Sequence, residues 1–253
     1  LPSRPAPVFG RCSGPRRSAH PQIMAIPKLI HQTAKTADIP EQWRALSEKT
    51  KALHPGWTYR LWTDEDNLAF VRAEYPDFVE TFVNLPKPIM RADVIRYLWM
   101  YRLGGLYLDL DYEFLKPFDP ESHRVIVPQT LEPDADGRPW LGNCMFASEP
   151  GHKLWKFMID DLRRNPPKAG DDVLHATGPM FVTRIYREHR AELGDVYLPA
   201  RKVYSPVTPR SKRQYDAIVR KGESLGIHHC SGTWQPWTVR ARRLVRRVLT
   251  GLW

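Results

Sequence analysis

The chain of 253 residues contains only three cysteines, Cys12, Cys144 and Cys230, odd in number and widely spaced. Such a set builds neither a disulfide framework nor a CxxC metal site, and it points to a reducing compartment. No run of about 18 apolar residues occurs, so a spanning helix of ordinary length is not expected. Acids are missing from both ends: residues 1–20 hold four Arg and no acid, and residues 238–253 hold five Arg and no acid. Taking those nine from the 38 Lys and Arg leaves 29 bases against 28 acids, so the net charge of +10 belongs to the tails. The nearly neutral middle offers no basic groove for a phosphate backbone, which argues against a nucleic-acid partner.

The first 23 residues, rich in Pro, Arg and Ser, also lack the apolar stretch of a secretory signal. They read as a disordered basic leader, with Met24 as the start of the folded protein. Residues 24–237 form one domain, and the 42 % apolar content of the chain suffices for a sizeable core. The last segment, TVRARRLVRRVLTGLW, puts Ala241, Leu244, Val245, Val248, Leu249 and Leu252 on one helical face and Arg242, Arg243, Arg246 and Arg247 largely on the other. A basic amphipathic helix over 238–253 suits adsorption to an anionic membrane; a helix docked on the protein is the alternative.

What is present between the tails is an alternation of strands and helices. AIPKLIHQT (Ala25–Thr33) predicts a buried strand, and EQWRALSEKTKAL a helix with Trp43, Leu46, Thr50 and Leu53 at helical spacing. WTYRLWT predicts a second strand, and Asp64 can cap the helix that follows. The order predicts an α/β fold with a mostly parallel sheet. Ile89–Leu103 is the strongest helix, with Ile89, Ala92, Ile95, Leu98, Trp99 and Leu103 in one stripe, ended by Gly104-Gly105. Helices are also predicted over Gly151–Arg164 and Pro179–Arg190, the latter with Phe181, Val182, Ile185 and Tyr186 inward. Tyr197–Pro199 and Gly226–Cys230 are short strand candidates.

LYLDLDYEFL emerges from this core with acids alternating among apolar residues. If the backbone bends there, Asp109 and Asp111 reach one volume and can share Mg²⁺ or Mn²⁺, hard cations that prefer oxygen ligands and bridge to phosphates. Such an ion neutralises the charge that develops on a departing diphosphate. Two solvated surface acids are the alternative, but the flanking Leu106, Leu108 and Leu110 speak against a solvated face. On the preceding helix, Asp93 and Arg96 are three apart on one face, with Arg91 toward the helix start. Arginine forks to phosphate or carboxylate, and aspartate accepts from sugar hydroxyls. A simple Asp93–Arg96 ion pair is the plainer reading.

IPKLIHQT, LWTDED and MRADVIRYLWMYRLGGLYLDLD together closely resemble the DXD-containing sugar transferases of glycosyltransferase family 32. That group includes initiating mannosyltransferases and capsular-polysaccharide synthesis proteins, and it is distantly similar to the glucosylating domain of clostridial toxins. The resemblance runs from about Ile26 to Trp234. It implies a GT-A type, Rossmann-like catalytic domain over 24–237 with the nucleotide at strand C-terminal ends. It also implies Mn²⁺ or Mg²⁺, a UDP- or GDP-sugar donor, and a glycan or lipid-linked acceptor in cell-surface polysaccharide or glycolipid synthesis. Retention of anomeric configuration is the expected outcome.

Residue by residue, the resemblance puts His31, Gln32 and Thr33 by the nucleotide, and Arg91, Asp93 and Arg96 on the donor sugar and phosphates. Asp109 and Asp111 face ribose and metal. Asn143 in LGNCMFAS matches a family asparagine near the sugar, and ATGP, with Gly178, matches a helix-start motif. HHCSGTW resembles the closing His-x-x-x-Gly-Ser-Trp pattern, with Thr233 for Ser and Trp234 at its end. It suggests His229, preferred over His228, as a third metal ligand, since adjacent strand residues face opposite ways. Family members carry Trp after the HQT string where Ala34 stands here. A cytoplasmic enzyme, peripheral on the inner membrane face, is expected. A haloacid-dehalogenase-like phosphatase using DxD with Asp171-Asp172, and a non-catalytic membrane-surface binding protein, are the alternatives; Glu113 and the late position of the motif count against the phosphatase.

Overall fold

Strand β1 (Leu29–Thr33), helix α1 (Glu41–Leu53) and strand β2 (Thr58–Trp62) form a parallel crossover unit in which β1 pairs residue for residue with β2, from Leu29 against Thr58 to Thr33 against Trp62. This computed structural model describes residues 25–120, 123–204 and 208–232. The basic leader, Trp234 and the C-terminal amphipathic segment therefore lie outside the described residues. After β2, Thr63 caps α2 (Asp64–Glu74) by accepting from the Asp66 amide while Asp66 returns a bond to the Thr63 amide. The cap is thus Thr63 and not Asp64, which becomes the first helical residue. A short turn and α3 (Val79–Val83) lead to α4 (Pro88–Arg102), which starts on a proline whose missing N–H is not needed there.

Strand β3 (Gly105–Leu108) then returns beside β1, on the side away from β2. The turn Asp109–Asp111 and β4 (Tyr112–Phe114) follow. Next come β5 (Val125–Ile126), β6 (Gln129–Leu131), β7 (Trp140–Leu141) and β8 (Met145–Ser148). The remainder is α5 (Lys153–Arg164), α6 (Val173–Ala176), α7 (Pro179–His189), α8 (Arg201–Tyr204), α9 (Lys212–Lys221) and β9 (Gly226–His228).

The central sheet has the order β2-β1-β3-β8-β5. It is an α/β sheet, but a mixed one: β2, β1 and β3 run parallel, whereas β8 is antiparallel to both β3 and β5. A mostly parallel sheet was the expectation from the opening strand–helix alternation; that alternation stops at β3, and the short strands after it join by antiparallel pairing. Two smaller ladders, β4 with β9 and β6 with β7, are separate from it. The predicted first strand begins four residues late, at Leu29, and Tyr197 makes only an isolated bridge to Ile126.

Side chains leave the sheet on alternate faces, as strand geometry requires. Tyr107 and Phe146 join one core with Trp62, Trp99, Trp155 and Phe181, while Leu106, Leu108, Met145 and Ala147 join the other with Ile30, Tyr112 and Phe114. Helix α4 lies in the first core and is buried nearly all round, from Met90 through Met100, charged Asp93 and Arg96 included. It is therefore more than the single-stripe helix its apolar spacing predicts. Phe181, Val182, Ile185 and Tyr186 of α7 face inward as expected. Between α4 and β3 the chain turns on Gly104 and Gly105, both at positive φ (64° and 95°). A Cβ on Gly105 would stand 2.5 Å from the Leu29 carbonyl oxygen. Gly105→Ala should lose at least about 2 kcal/mol, the left-handed penalty plus a clash with a fixed strand; urea denaturation checks this. Among the described residues no helix is long and apolar enough to cross a membrane.

Candidate active site and metal centre

The chain leaves β1 for β2 on one side and reaches β3 on the other, so the carboxyl ends of β1 and β3 flank a topological switch point, where open α/β sheets bind ligands. Thr33 ends β1 there, and Asp109 follows β3. The turn that carries the aspartates is fixed from three directions. The Asp109 amide donates to the Cys144 carbonyl (2.8 Å) and the Tyr112 amide to the Asp109 carbonyl (3.0 Å). Gln32 Nε2 also donates to the Asp109 carbonyl (3.2 Å), while Gln32 Oε1 accepts from Ser47 (2.7 Å) and Tyr59 (2.8 Å).

Each aspartate has one oxygen pinned by protein and the other turned to a shared point. Asp109 Oδ1 accepts from Arg96 Nη1 (3.0 Å) and the Tyr107 hydroxyl (2.5 Å). Asp111 Oδ2 accepts from the Ser231 amide (2.5 Å). The remaining oxygens, Asp109 Oδ2 and Asp111 Oδ1, lie 3.5 and 3.2 Å from His228 Nε2. Donor atoms of Asp109, Asp111 and His228 all fall within 4.8 Å of one another, a spacing that can hold a metal ion. Two carboxylates and one imidazole form a hard, mainly oxygen donor set, suited to Mn²⁺ or Mg²⁺.

The histidine at the aspartates is His228, and His229 is the one that faces away. His228 ends β9 and His229, which continues the extended chain through its amide bond to the Asp111 carbonyl, points to the opposite side; the register Tyr112 against His228 directs His228 toward the turn. Choosing His229 from the family pattern required the register, which sequence spacing does not contain. Burial disfavours charge on His228, but the adjacent Cys144 sulfur and Asp111 carboxylate outweigh it and raise its pKa well above the ordinary value. Burial likewise opposes charge on Asp111, yet hydrogen bonds from His228 and the Ser231 amide hold its carboxyl far below the usual range.

Behind the aspartates stands a buried polar group. Asp93 and Arg96 are 3 % and 4 % exposed and pair at 3.1 Å. Asp93 also accepts from Asn143 Nδ2 (3.0 Å) and Thr177 Oγ1 (2.9 Å), and Arg96 Nη1 also donates to the Asn143 carbonyl (2.5 Å). The Arg96 guanidinium lies 4.5 Å over the Tyr107 ring. Desolvation pushes the Asp93 carboxyl up to about 7 against the pull of Arg96 and its two neutral donors. The geometry is thus more than an exposed helical ion pair, and both side chains are spent on protein partners instead of lying open to a donor. They brace Asp109 from below.

Other sequence candidates sit differently. His31 is fully buried, packed beside Trp62 and Trp99; its Nδ1 accepts from Trp62 Nε1 (3.1 Å) and its Nε2 donates to the Gly104 carbonyl (3.0 Å). Burial lowers its pKa to about 4, so it is neutral. With both nitrogens occupied inside the core, it holds β1 to the Gly-Gly turn. Thr33 accepts from Asn67 (2.9 Å) at the crevice rim. Arg91 donates to the Leu85 carbonyl (3.0 Å), and no described contact joins it to the aspartates. Asn143 is in the site through Asp93 and Arg96, and Gly178 opens α7 where a Cβ would stand 2.9 Å from Leu174 Cα. Asp172 caps α6 through the His175 amide (3.1 Å) and Asp171 accepts from the Lys168 amide (2.7 Å), so the second acidic pair of a phosphatase is used in a surface turn.

Residues 40–130 match the family model described as a glycosyltransferase sugar-binding region containing a DXD motif. The chain is 34 % identical over 207 residues to a mannosyl phosphorylinositol ceramide synthase of Saccharomyces cerevisiae, covering 81 % of this chain and 53 % of that protein. Residues 40–130 belong to the DXD-containing glycosyltransferase family. An initiation-specific alpha-1,6-mannosyltransferase of Schizosaccharomyces pombe is 27 % identical over 184 residues, 61 % of this chain and 46 % of the relative. The chain spans about half the length of these curated relatives. Among solved structures the PaToxG glycosyltransferase aligns over 89 % of this chain and 86 % of its own, at 15 % identity and a TM-score of 0.48.

The DXD of this glycosyltransferase family is Asp109-Leu110-Asp111, within the matched region. Its partners Ser231 and His228 lie beyond it, as does Thr177, which donates to Asp93. Tyr107, Thr177 and Ser231 are site residues that sequence reasoning missed. For Tyr107 a signal existed, since it sits two residues before Asp109 on one strand face; Thr177 and Ser231 lie within ATGP and HHCSGTW, where the resemblance pointed to Gly178 and to the histidines and Trp234 instead. Glu113, two residues after Asp111, is buried and accepts from Lys49 Nζ (2.6 Å) and the Tyr215 hydroxyl (2.8 Å) and pairs with His229 Nε2 (2.9 Å). Burial would raise its pKa, but bonds from His229, Lys49 and Tyr215 prevail and lower it from 4.5 to about 2. A depressed carboxyl contributes stability above its unfolded pKa and loses it as pH falls through the folded one. The deficit of Glu113→Gln relative to the native protein should therefore shrink between about pH 4.5 and 2, read from urea midpoints across that range.

Proposed function

We propose that this chain transfers a hexosyl group, mannose foremost, from a nucleoside-diphosphate sugar to a glycolipid or glycan hydroxyl, with a divalent metal ion held by Asp109, Asp111 and His228. One observation carries the reading: three ligand atoms converge within 4.8 Å at the switch point of the sheet, each aspartate with one oxygen already fixed. The residues fit a metal by the chemistry of their donors. When bound, Mn²⁺ or Mg²⁺ would neutralise charge developing on the leaving diphosphate. His228 would hold the metal through Nε2 of its neutral imidazole, so metal affinity would fall at low pH.

Arg96 and Tyr107 keep Asp109 oriented, and Gln32 fixes the turn beneath it. Preorganisation of this kind matters because a loosely held carboxylate would reorient as charge shifts. The two named relatives support mannose as the sugar and inositol phosphoceramide or a mannan-type glycan as the acceptor class, and hence GDP-mannose among the UDP- and GDP-sugars. Manganese, retention of configuration and an acceptor presented at an anionic membrane surface belong to this proposal.

Thermal-shift measurement with Mn²⁺ and a panel of sugar nucleotides tests it, because a ligand that binds only the folded state must stabilise it, by about 2.7 kcal/mol at a hundred times its Kd. GDP-mannose with Mn²⁺ should give the largest rise and radiolabelled mannose should appear in an inositol phosphoceramide acceptor. If no sugar nucleotide shifts the midpoint in the presence of Mn²⁺, the function is wrong. NMR of the product anomer decides retention.

A further inference from the structure

We infer that Glu113 is a positioning residue for the metal centre: by holding His229, the residue after β9, on one side, it aims His228, on the other side, at Asp109 and Asp111. The inference rests on the proposed metal site.

β9 is three residues long and, among the described residues, pairs only with the three residues of β4. A two-stranded ladder of that length is marginal by itself. It nonetheless has to place an imidazole to within a few tenths of an ångström, so something beyond the ladder must fix it. Glu113 pairs with Ile227 across the ladder. Residues directly opposite share a face, and so do residues two apart on one strand. Glu113, Ile227 and His229 therefore lie on one side, Tyr112 and His228 on the other. The Glu113 to His229 contact, 2.9 Å, is the diagonal pair on that first side. The His229 amide also donates to the Asp111 carbonyl (3.0 Å), which extends the ladder into the turn that carries the metal ligands. A slip of β9 by one residue would exchange His228 and His229, and it would also break the Glu113 bond.

The carboxylate is itself held by two other elements, Lys49 on α1 and Tyr215 on α9. Lys49 offsets a third negative charge close to the two aspartates. Helix α1 thus supports the site twice, through Ser47 and Gln32 under Asp109 and through Lys49 and Glu113 under β9.

Three variants of the full chain separate positioning from general stability: Glu113→Gln, His229→Gln and Tyr215→Phe. Mn²⁺ binding in the presence of GDP is read by electron paramagnetic resonance, beside circular dichroism, melting temperature and transfer kinetics. Glu113→Gln and His229→Gln should weaken Mn²⁺ roughly 10-fold or more, in the range found for groups that orient metal ligands. Their kcat should recover at saturating Mn²⁺. Tyr215→Phe, which takes one bond from Glu113 but leaves its contact with His229, should lower the melting temperature without changing Mn²⁺ affinity. If Glu113→Gln does not fold, His229→Gln decides. Native Mn²⁺ affinity in a folded Glu113→Gln or His229→Gln overturns the inference while leaving the metal site standing, and so does equal weakening by Tyr215→Phe. Failure of the native protein to bind Mn²⁺ removes both.

Discussion

Asp111→Asn should abolish measurable transfer, a loss of roughly 10³-fold or more, the scale of removing a group aimed at charge that forms only in the transition state. The amide keeps the shape of the carboxylate but brings no charge to the metal. It also sets an amide N–H₂ or a weaker acceptor against the Ser231 amide, which at present donates to Asp111 Oδ2 at 2.5 Å. Asp109→Asn should lose a similar factor. Full truncation at Asp109 is a poorer test, because Asp109→Ala also takes a partner from buried Arg96 and from the Tyr107 hydroxyl. Transfer assays with the Asn variants, with circular dichroism to confirm folding, separate chemistry from stability. Retention of more than about a tenth of native activity by both would be incompatible with a metal held there.

Arg96→Met should cost the largest stability of any single change at the site, about 3–5 kcal/mol, since it leaves charge buried without its partner. Asp93, 3 % exposed, loses the guanidinium at 3.1 Å, and Asp109 loses it at 3.0 Å. A proton can relieve part of that cost. The Asp93 carboxyl is already pushed up to about 7, and without Arg96 it rises further. A carboxyl whose folded pKa lies above its unfolded value gives its stability contribution below the unfolded pKa, near 4, and loses it as pH climbs through the folded one. The deficit of Arg96→Met should therefore widen from pH 5 to pH 8. Urea unfolding at those two pH values measures it; an equal deficit at both would mean that Asp93 does not take up the proton. Residual activity should be low at either pH, because Asp109 Oδ1 keeps only the Tyr107 hydroxyl.

Much of this site was legible before any coordinates. The DXD pair, the glycine turn before it and the helix that carries Asp93 and Arg96 are consecutive in the sequence, so local patterning brings them into one reading. α/β order followed from the alternation of the first four elements. What stayed hidden depends on long-range register. His228 and His229 are adjacent, and only the pairing of Tyr112 with His228 decides which one faces the aspartates. The mixed character of the sheet is set by β5 and β8, two and four residues long, too short to announce a direction.

His31 illustrates a different limit. Its place in IPKLIHQT marks the end of a strand at the ligand crevice, and residues there commonly touch ligand. The structure turns its side chain into the aromatic core, against Trp62 and Trp99, while its neighbour Gln32 turns the other way and supports Asp109 from behind. Ser47 on α1 is buried for the same purpose, although helical spacing singles out Trp43, Leu46, Thr50 and Leu53 on that helix, of which Thr50 is buried and the other three are half-buried. Hydrophobic periodicity finds the face of a helix that meets the core. It does not register buried polar side chains that brace a site, since their partners lie on other elements, 15 residues away from Ser47 to Gln32 and 77 from Gln32 to Asp109.

An anomalous difference map from a crystal soaked in Mn²⁺ and GDP bears most directly on the central claim. A single strong peak within bonding distance of Asp109 Oδ2, Asp111 Oδ1 and His228 Nε2, bridged to the diphosphate, is the predicted result. Diphosphate density at the switch point with no manganese beside those three atoms, or manganese bound elsewhere, would contradict it.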